Sequence, residues 1–291
     1  MGLHSKVKER SVMAIKKEDI RIRDPFVFVE NNEYYMLGTT GNDCWNAGSD
    51  LTLYKSTDLE SFEKVCCLVE EKTLKKYTNI WAPELHKYNG KYYLIVSVFN
   101  EEKGRGSIIL TSNQLQGKYT LLTGEYVTPN GWWCLDASLF VFNKTPYLYF
   151  SNEWIHTVNN DGDGSIFVAQ LSDDLTKIVD SPKKIISGKY CGFSKELTYA
   201  KTGVKGFVAE GPFAVQKDGE VQLYWSTYTT EGYCVVKSVT KEVLGEYRVE
   251  KFIFKKDGGH AMVFTTLDGK QYITFHKPNI SPNERMEKFL L

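Results

Sequence analysis

A two-strand unit recurs five times along the chain, and this repetition constrains the fold more than any single motif does. The units run from Asp24 to Met36, Pro83 to Leu94, Asp136 to Tyr149, Glu210 to Leu223 and His260 to Ile273. Each has a short apolar run, a polar turn and a second run, read in turn as YYM, YYL, YLY, VQL and QYI. The turn pairs are Asn31-Asn32, Asn89-Gly90, Asn143-Lys144, Asp218-Gly219 and Asp268-Gly269. All but Asn143-Lys144 are made of residues that tolerate the positive φ of tight hairpins.

A second element follows in four of the units: LYKSTDLESFEKV at 53–65, ILTSNQLQGKYTLL at 109–122, FVAQLSDDLTKIV at 167–179 and VVKSVTKEVLGEYRV at 235–249. Each reads as a strand, a Ser/Asp-containing turn and another strand. Four strands per unit at roughly 50-residue spacing predict a propeller, and five units fit 291 residues. The expected fold is all-β, a five-bladed β-propeller in one catalytic domain spanning 1–291, with blades near 21–65, 80–127, 133–180, 207–250 and 257–291. The short fifth blade is expected to be completed by the C-terminal tail or by residues near the N-terminus. A sandwich of hairpins is the alternative, but it leaves the matched positions of Asp24, Asp136 and Glu210 unexplained.

Composition narrows the function. With 36 basic and 36 acidic residues the chain is formally neutral, so it lacks the electrostatic footprint of a nucleic-acid or anionic-membrane binder. Aromatic residues make up 14%, which suits both β structure and a sugar-stacking surface. Six cysteines without a CxxC pair and an N-terminus without a signal-like apolar stretch lead to the expectation of reduced thiols in a cytoplasmic protein. Gly2 fails the myristoylation pattern because Lys6 stands where Ser or Thr is needed. An oligomer is left open. No GxSxG, GxGxxG or P-loop pattern occurs in a suitable context, and GRG at 104–106 reads as a hairpin tip.

In a propeller the inner strands line one axis, so Asp24, Asp136 and Glu210 are expected to converge. Carboxylates flanking a glycosidic bond can act as general acid and base, and a third raises the acid's pKa. R-D-P-F at 23–26, W-A-P-E-L at 81–85, L-D-A-S-L-F at 135–140, A-E-G-P-F at 209–213 and G-G-H at 258–260 together resemble glycoside hydrolase family 43, over about residues 20–280. That resemblance implies an inverting glycosidase on an oligosaccharide substrate, with Asp24 as general base, Glu210 as protonated general acid and Asp136 as a charged modulator. It implies an exo-acting α-L-arabinofuranosidase or β-xylosidase on plant-derived oligosaccharides. An endo-arabinanase, another propeller glycosidase or phosphorylase, and a sugar-binding propeller without turnover are the alternatives.

No cofactor is expected for the chemistry. His260 takes the equivalent position in the fifth unit, where it either approaches a structural calcium or packs along the axis; calcium's preference for oxygen leaves a lone histidine ambiguous. Trp45, Trp81, Trp133 and Arg23 are candidate substrate-binding residues. Glu84 is either a pocket residue or an ion-pair partner of Arg23 or His86, and His276 is a further candidate.

Overall fold

The computed structural model describes residues 14–41, 43–45 and 50–291. The N-terminal stretch on which the signal-peptide and Gly2 readings rest lies outside them. The chain forms five antiparallel sheets in sequence order, the blades of a β-propeller. Blade 1 has Ile22–Glu30, Glu33–Thr40, Thr52–Ser56 and Ser61–Cys67; blade 2 has Thr78–Tyr88, Lys91–Asn100, Gly104–Ser112 and Thr120–Leu121. Blade 3 has Cys134–Phe142, Thr145–Asn152, Ser165–Gln170 and Lys183–Ser187; blade 4 has Glu210–Lys217, Glu220–Thr229, Gly232–Thr240 and Arg248–Phe254. Blade 5 has three strands, Gly259–Thr265, Gln271–Lys277 and Arg285–Leu290. The first strand of each sheet packs against the first strands of its two neighbours, and Gly259–Thr265 meets Ile22–Glu30 to close the ring.

Each blade is sandwiched between two others, so its middle strands are buried on both faces. Leu94, Ile95 and Val96 are consecutive and all fully buried, a pattern that excludes a half-exposed strand. The apolar clusters accordingly lie between blades: Tyr149 and Val168 pack with Leu223 and Val236, and Val263 and Phe275 with Tyr224 and Val235. The hairpin turns follow the expected chemistry, and Asn143 and Lys144 both adopt left-handed φ (50° and 67°) despite the unfavourable Lys.

The two ends of the chain meet without sharing a sheet. The tail strand Arg285–Leu290 supplies the third strand of blade 5, whereas Ile15–Lys16 pairs with Ser61 and Phe62 on the outer edge of blade 1. Between them the Ile22 N–H donates to the Glu284 carbonyl at 3.1 Å. The fully buried Glu284 carboxylate receives Arg21 Nε at 3.2 Å and Arg23 Nη1 at 2.8 Å. Burial pushes the Glu284 carboxyl up, but the two arginines and a backbone N–H hold it below its ordinary value.

Every inner strand carries a β-bulge at the same place. Its register slips between Arg23 and Phe26, Trp81 and Glu84, Leu135 and Ser138, Glu210 and Phe213, and Gly259 and Met262. In each bulge one residue is left-handed: Asp24, Ala82, Asp136, Gly211 or His260, with φ of 45° to 60°. A left-handed non-glycine residue is strained, and its N–H leaves the ladder and needs another acceptor.

The preceding blade provides that acceptor from the matching position of its second strand. The Ala82 N–H donates to Thr39 Oγ1 at 2.8 Å, Asp136 N–H to Ser97 Oγ at 2.7 Å, His260 N–H to Ser226 Oγ at 2.8 Å, and Asp24 N–H to His276 Nδ1 at 3.2 Å. Blade 4 departs from the rule: the Gly211 N–H donates to Asp136 Oδ2 at 3.0 Å, and the buried Ser151 hydroxyl has no partner among the described residues.

This pattern predicts unequal costs for two serines. Ser226→Ala leaves a buried N–H unsatisfied and should cost about 1–3 kcal/mol, whereas Ser151→Ala removes a hydroxyl that bonds nothing and should be neutral or stabilising. Urea unfolding of the two variants measures the difference, and equal losses would refute the relay.

Candidate active site

The left-handed bulges turn Asp24, Asp136 and His260 toward the same end of the axis. Glu210 reaches that place by a different route: it sits one residue before the left-handed position, in step with Arg23, Trp81, Leu135 and Gly259 rather than with Asp24. The acidic residues are therefore not strictly in phase. Asp24, Asp136, Glu210 and His260 nevertheless line one cavity of about 590 Å³.

Asp24 is buried and fully engaged. Its Oδ2 accepts from Thr39 Oγ1 at 2.7 Å, and its Oδ1 lies 3.2 Å from His260 Nδ1 and 3.3 Å from His276 Nδ1. Burial alone would push this carboxyl up, but His260 and Arg23 hold it well below the carboxylate range. Burial pushes His260 down, yet Asp24, Asp136, Glu210 and Glu84 outweigh it and raise it, favouring the charged imidazole. His276 is lowered, chiefly by burial and by Arg23. A neutral His276 with its proton on Nε2 donates to Asn279 Oδ1 at 3.0 Å and leaves Nδ1 to accept the Asp24 N–H.

Asp136 and Glu210 lean the other way. Burial raises Asp136 to about 7, with Glu210 and Asp24 adding to the effect and His260, 3.8 Å from Oδ2, opposing it. Burial likewise raises Glu210 against the pull of a hydrogen bond from the Tyr233 hydroxyl, 2.7 Å from Oε1. Near neutral pH the pair retains a proton that Asp24 does not. An Asp136 carboxyl raised to about 7 stands beside the charged carboxylate expected from the sequence.

Aromatic and cationic groups alternate along one wall. The Arg23 guanidinium lies over Trp45 (4.8 Å), Trp45 meets Trp81 edge-on (5.6 Å), and Arg105 lies over Trp81 (3.8 Å). Trp133 stacks on His156 at 4.4 Å. Trp45, half-exposed at 51%, offers the most accessible ring; its neighbours 46–49 and residue 42 lie outside the described residues. The segment 187–206 contributes a small hairpin, Leu197–Thr198 with Lys205–Gly206, that lines the same cavity through Leu197 and Tyr199.

The sequence matches Glycosyl hydrolases family 43 over residues 19–288. The chain belongs to that family. It is 25% identical over 286 residues, 88% of its length, to an extracellular exo-α-(1→5)-L-arabinofuranosidase of Streptomyces avermitilis, and 29% identical over 163 residues to α-L-arabinofuranosidase 43 of Humicola insolens. It spans 54% and 31% of those two relatives. Among solved structures it resembles an endo-arabinase of Bacteroides thetaiotaomicron, with TM-score 0.85, 30% identity and coverage of 95% of this chain and 96% of that one. A family 43 protein is a glycoside hydrolase that needs no cofactor for catalysis. Relatives named as extracellular, from two Streptomyces species, overturn the expectation of a cytoplasmic protein.

Not every candidate lies in the family 43 pocket. Arg23, Trp45, Trp81 and Trp133 line it. Glu84 instead pairs with His86 at 2.8 Å, the ion-pair alternative, because the bulge puts it two residues beyond the left-handed Ala82. Arg23 finds its partner in Glu284.

GRG at 104–106 is not a free tip: Arg105 is buried in the wall and donates to Glu153 at 3.0 Å. Gly104, with φ +75°, leaves room for Trp133, whose indole would lie 2.3 Å from a Cβ there. Tyr233, Tyr228 and Glu153 carried no local signal, since each comes from a later strand or an irregular segment rather than from a motif. A calcium site asks for six to eight oxygen ligands. The described residues hold no group of three or more His, Cys, Asp or Glu suited to a metal, and His260 Nδ1 already faces Asp24 and Asp136. Among the described residues, direct side-chain ligands for calcium are therefore not assembled at His260.

The opposite shifts give opposite pH dependence. Asp24 binds its proton less tightly folded than unfolded, so its stabilisation is present above its ordinary value of 3.8 and is lost as pH falls. Asp136 binds its proton more tightly folded, so between 3.8 and about 7 its contribution to stability falls as pH rises. Asp136→Asn should therefore be more stable than the parent at pH 8, by roughly 1–3 kcal/mol, with the gain shrinking at pH 4. Urea titrations at both pH values decide it, and a pH-independent difference would contradict the assignment.

Proposed function

We propose that this chain hydrolyses α-L-arabinofuranosidic bonds at the ends of short oligosaccharides, with inversion at the anomeric carbon. The observation that carries the reading is the convergence of Asp24, Asp136 and Glu210 on one cavity, with Asp24 held ionised and the other two raised. Inversion needs one base for water and one acid for the leaving group.

In this reading Glu210 gives its proton to the glycosidic oxygen as the bond to the anomeric carbon breaks and the electron pair passes to that oxygen. Water adds to the anomeric carbon and loses a proton to Asp24. A carboxylate of low proton affinity is adequate there, because water becomes strongly acidic as its oxygen bonds to carbon. Asp136 keeps the Glu210 proton in place by raising the cost of a second negative charge. Trp45, Trp81 and Trp133 offer apolar faces for sugar C–H surfaces, and the Arg23 guanidinium over Trp45 adds a polar group to that wall.

The arabinose assignment draws on the named relatives at 25% and 29% identity. A compost-metagenome β-xylosidase/α-arabinofuranosidase at 15% identity supports only the fold, so β-xyloside cleavage remains the other specificity to test. A second reading, endo action on arabinan, is favoured by the 30% identity to the Bacteroides endo-arabinase.

Aryl α-L-arabinofuranosides, aryl β-D-xylosides and linear arabinan form the decisive panel. The first should turn over best, and arabinan should release arabinose rather than oligosaccharides. Asp24→Asn and Glu210→Gln should each lower kcat by about 10²–10⁴-fold on unactivated substrates. Wild-type turnover surviving both substitutions, or a product of retained configuration by NMR, would sink the mechanism.

A further inference from the structure

The Tyr233 hydroxyl donates to one oxygen of Glu210, and among the described residues no hydrogen bond reaches the other. It donates to Oε1 at 2.7 Å, within the range of a strong O–H···O bond. We infer that Tyr233 is a positioning residue for the proton transfer: by occupying Oε1 it leaves Oε2 as the oxygen that carries the proton to the glycosidic oxygen. This inference rests on the reading of Glu210 as general acid.

The packing around the ring fixes that geometry. Tyr233 is the register partner of Tyr228, with ring centroids 4.8 Å apart, and stacks at 26° against His276, 5.8 Å away. A Cβ on Gly259 would lie 2.2 Å from the Tyr233 ring, so the second glycine of the G-G-H segment supplies the space the ring fills. The Gly258 N–H donates to the Tyr233 carbonyl at 3.0 Å.

The same neighbours reach the other carboxylate: Tyr228 accepts from Asn279 Nδ2, Asn279 Oδ1 accepts from His276 Nε2, and His276 Nδ1 accepts from the Asp24 N–H. One buried set of side chains thus stands behind both Asp24 and Glu210.

The hydrogen bond also changes strength at the right moment. Burial and the neighbouring Glu210 hold the Tyr233 phenol well above its ordinary value, so it stays a donor. As the Glu210 Oε2–H bond breaks and its proton moves to the glycosidic oxygen, Glu210 becomes a carboxylate, and a bond donated to a carboxylate is stronger than one to a neutral acid. An interaction that strengthens toward the transition state accelerates the step. The step involves no oxidation or reduction, and Glu210 is reprotonated from solvent before the next turnover.

The test compares an arabinofuranoside of a poor leaving group, an alkyl or methylphenyl glycoside, with the dinitrophenyl glycoside, which leaves without proton assistance. Tyr233→Phe should lose at least about tenfold more kcat/KM on the poor leaving group than on the good one. It should also move the high-pH limb of the profile upward, because Glu210 loses a donor that favours its ionised form. A 3-fluorotyrosine placed at 233 keeps the shape, donates more strongly and should move that limb downward, and it decides the matter alone if Tyr233→Phe fails to fold.

Glu210→Gln, assayed alongside, should show the larger leaving-group split. If Glu210→Gln splits the two substrates while both changes at 233 leave the limb unmoved, the role of Tyr233 is refuted and the acid assignment stands. If Glu210→Gln itself shows no split, the acid assignment falls.

Discussion

The left-handed bulge at the top of each inner strand, and the hydrogen bond that its N–H makes to the blade before it, is the constraint on which the site depends. A strand that simply continued its ladder would alternate side chains between the two neighbouring blades and present none along the axis. The bulge breaks that alternation and turns the chain inward. It also creates a buried N–H that its own blade cannot satisfy, which Thr39, Ser97, Ser226 and His276 take up from the preceding blade. Ring closure and site assembly are therefore one event: the Asp24 backbone finds its acceptor only when blade 5 has packed against blade 1.

The electrostatics of the site follow from this crowding. Asp24, Asp136, Arg23 and His276 are buried, with Glu210 and His260 partly so, and burial alone would raise every carboxyl. Cations are unevenly distributed among them. His260 lies 3.2 Å from Asp24 and 3.8 Å from Asp136, and Arg23 flanks Asp24 while its charge is balanced by Glu284. Asp24 therefore ionises first, and its charge, with that of whichever of the pair ionises next, discourages a further ionisation. Two similar side chains thus acquire opposite duties from position alone, which is the condition for paired acid and base chemistry.

Much of this was legible in the residues. The five hairpins, the propeller and the convergence of Asp24, Asp136, Glu210 and His260 could be read from spacing, since a repeated unit carries its geometry with it. The one-residue offset of Glu210 could not, because hydrophobic runs and turns locate a strand to within a residue or two, whereas a bulge is decided by whichever residue accepts a left-handed φ. Glu84 shows the same limit: counted from the motif it stands near the axis, but the bulge at Ala82 directs it to His86. GRG at 104–106 reads as a hairpin tip because the burial of Arg105 depends on Trp81 and Glu153 from other parts of the chain. Tyr233 lies in the third strand of its blade, where no motif marks it.

The exception in blade 4 is what, in the proposed mechanism, sets Glu210 as acid apart from Asp24 as base. Gly211 holds the left-handed place at φ +60°, and a Cβ there would lie 3.0 Å from His260 Cγ. A carboxylate-bearing residue at 211 would therefore displace the imidazole that keeps Asp24 ionised. With the carboxyl at 210 instead, its side chain accepts from the Tyr233 hydroxyl, and the Gly211 N–H is free to bind Asp136. That bond ties Asp136 to blade 4 and leaves Ser151, at the position that accepts in the other blades, without a partner among the described residues. One glycine thus sets the two carboxyls apart: it places Glu210 one residue before the left-handed position and joins it to Asp136 through the adjacent backbone N–H.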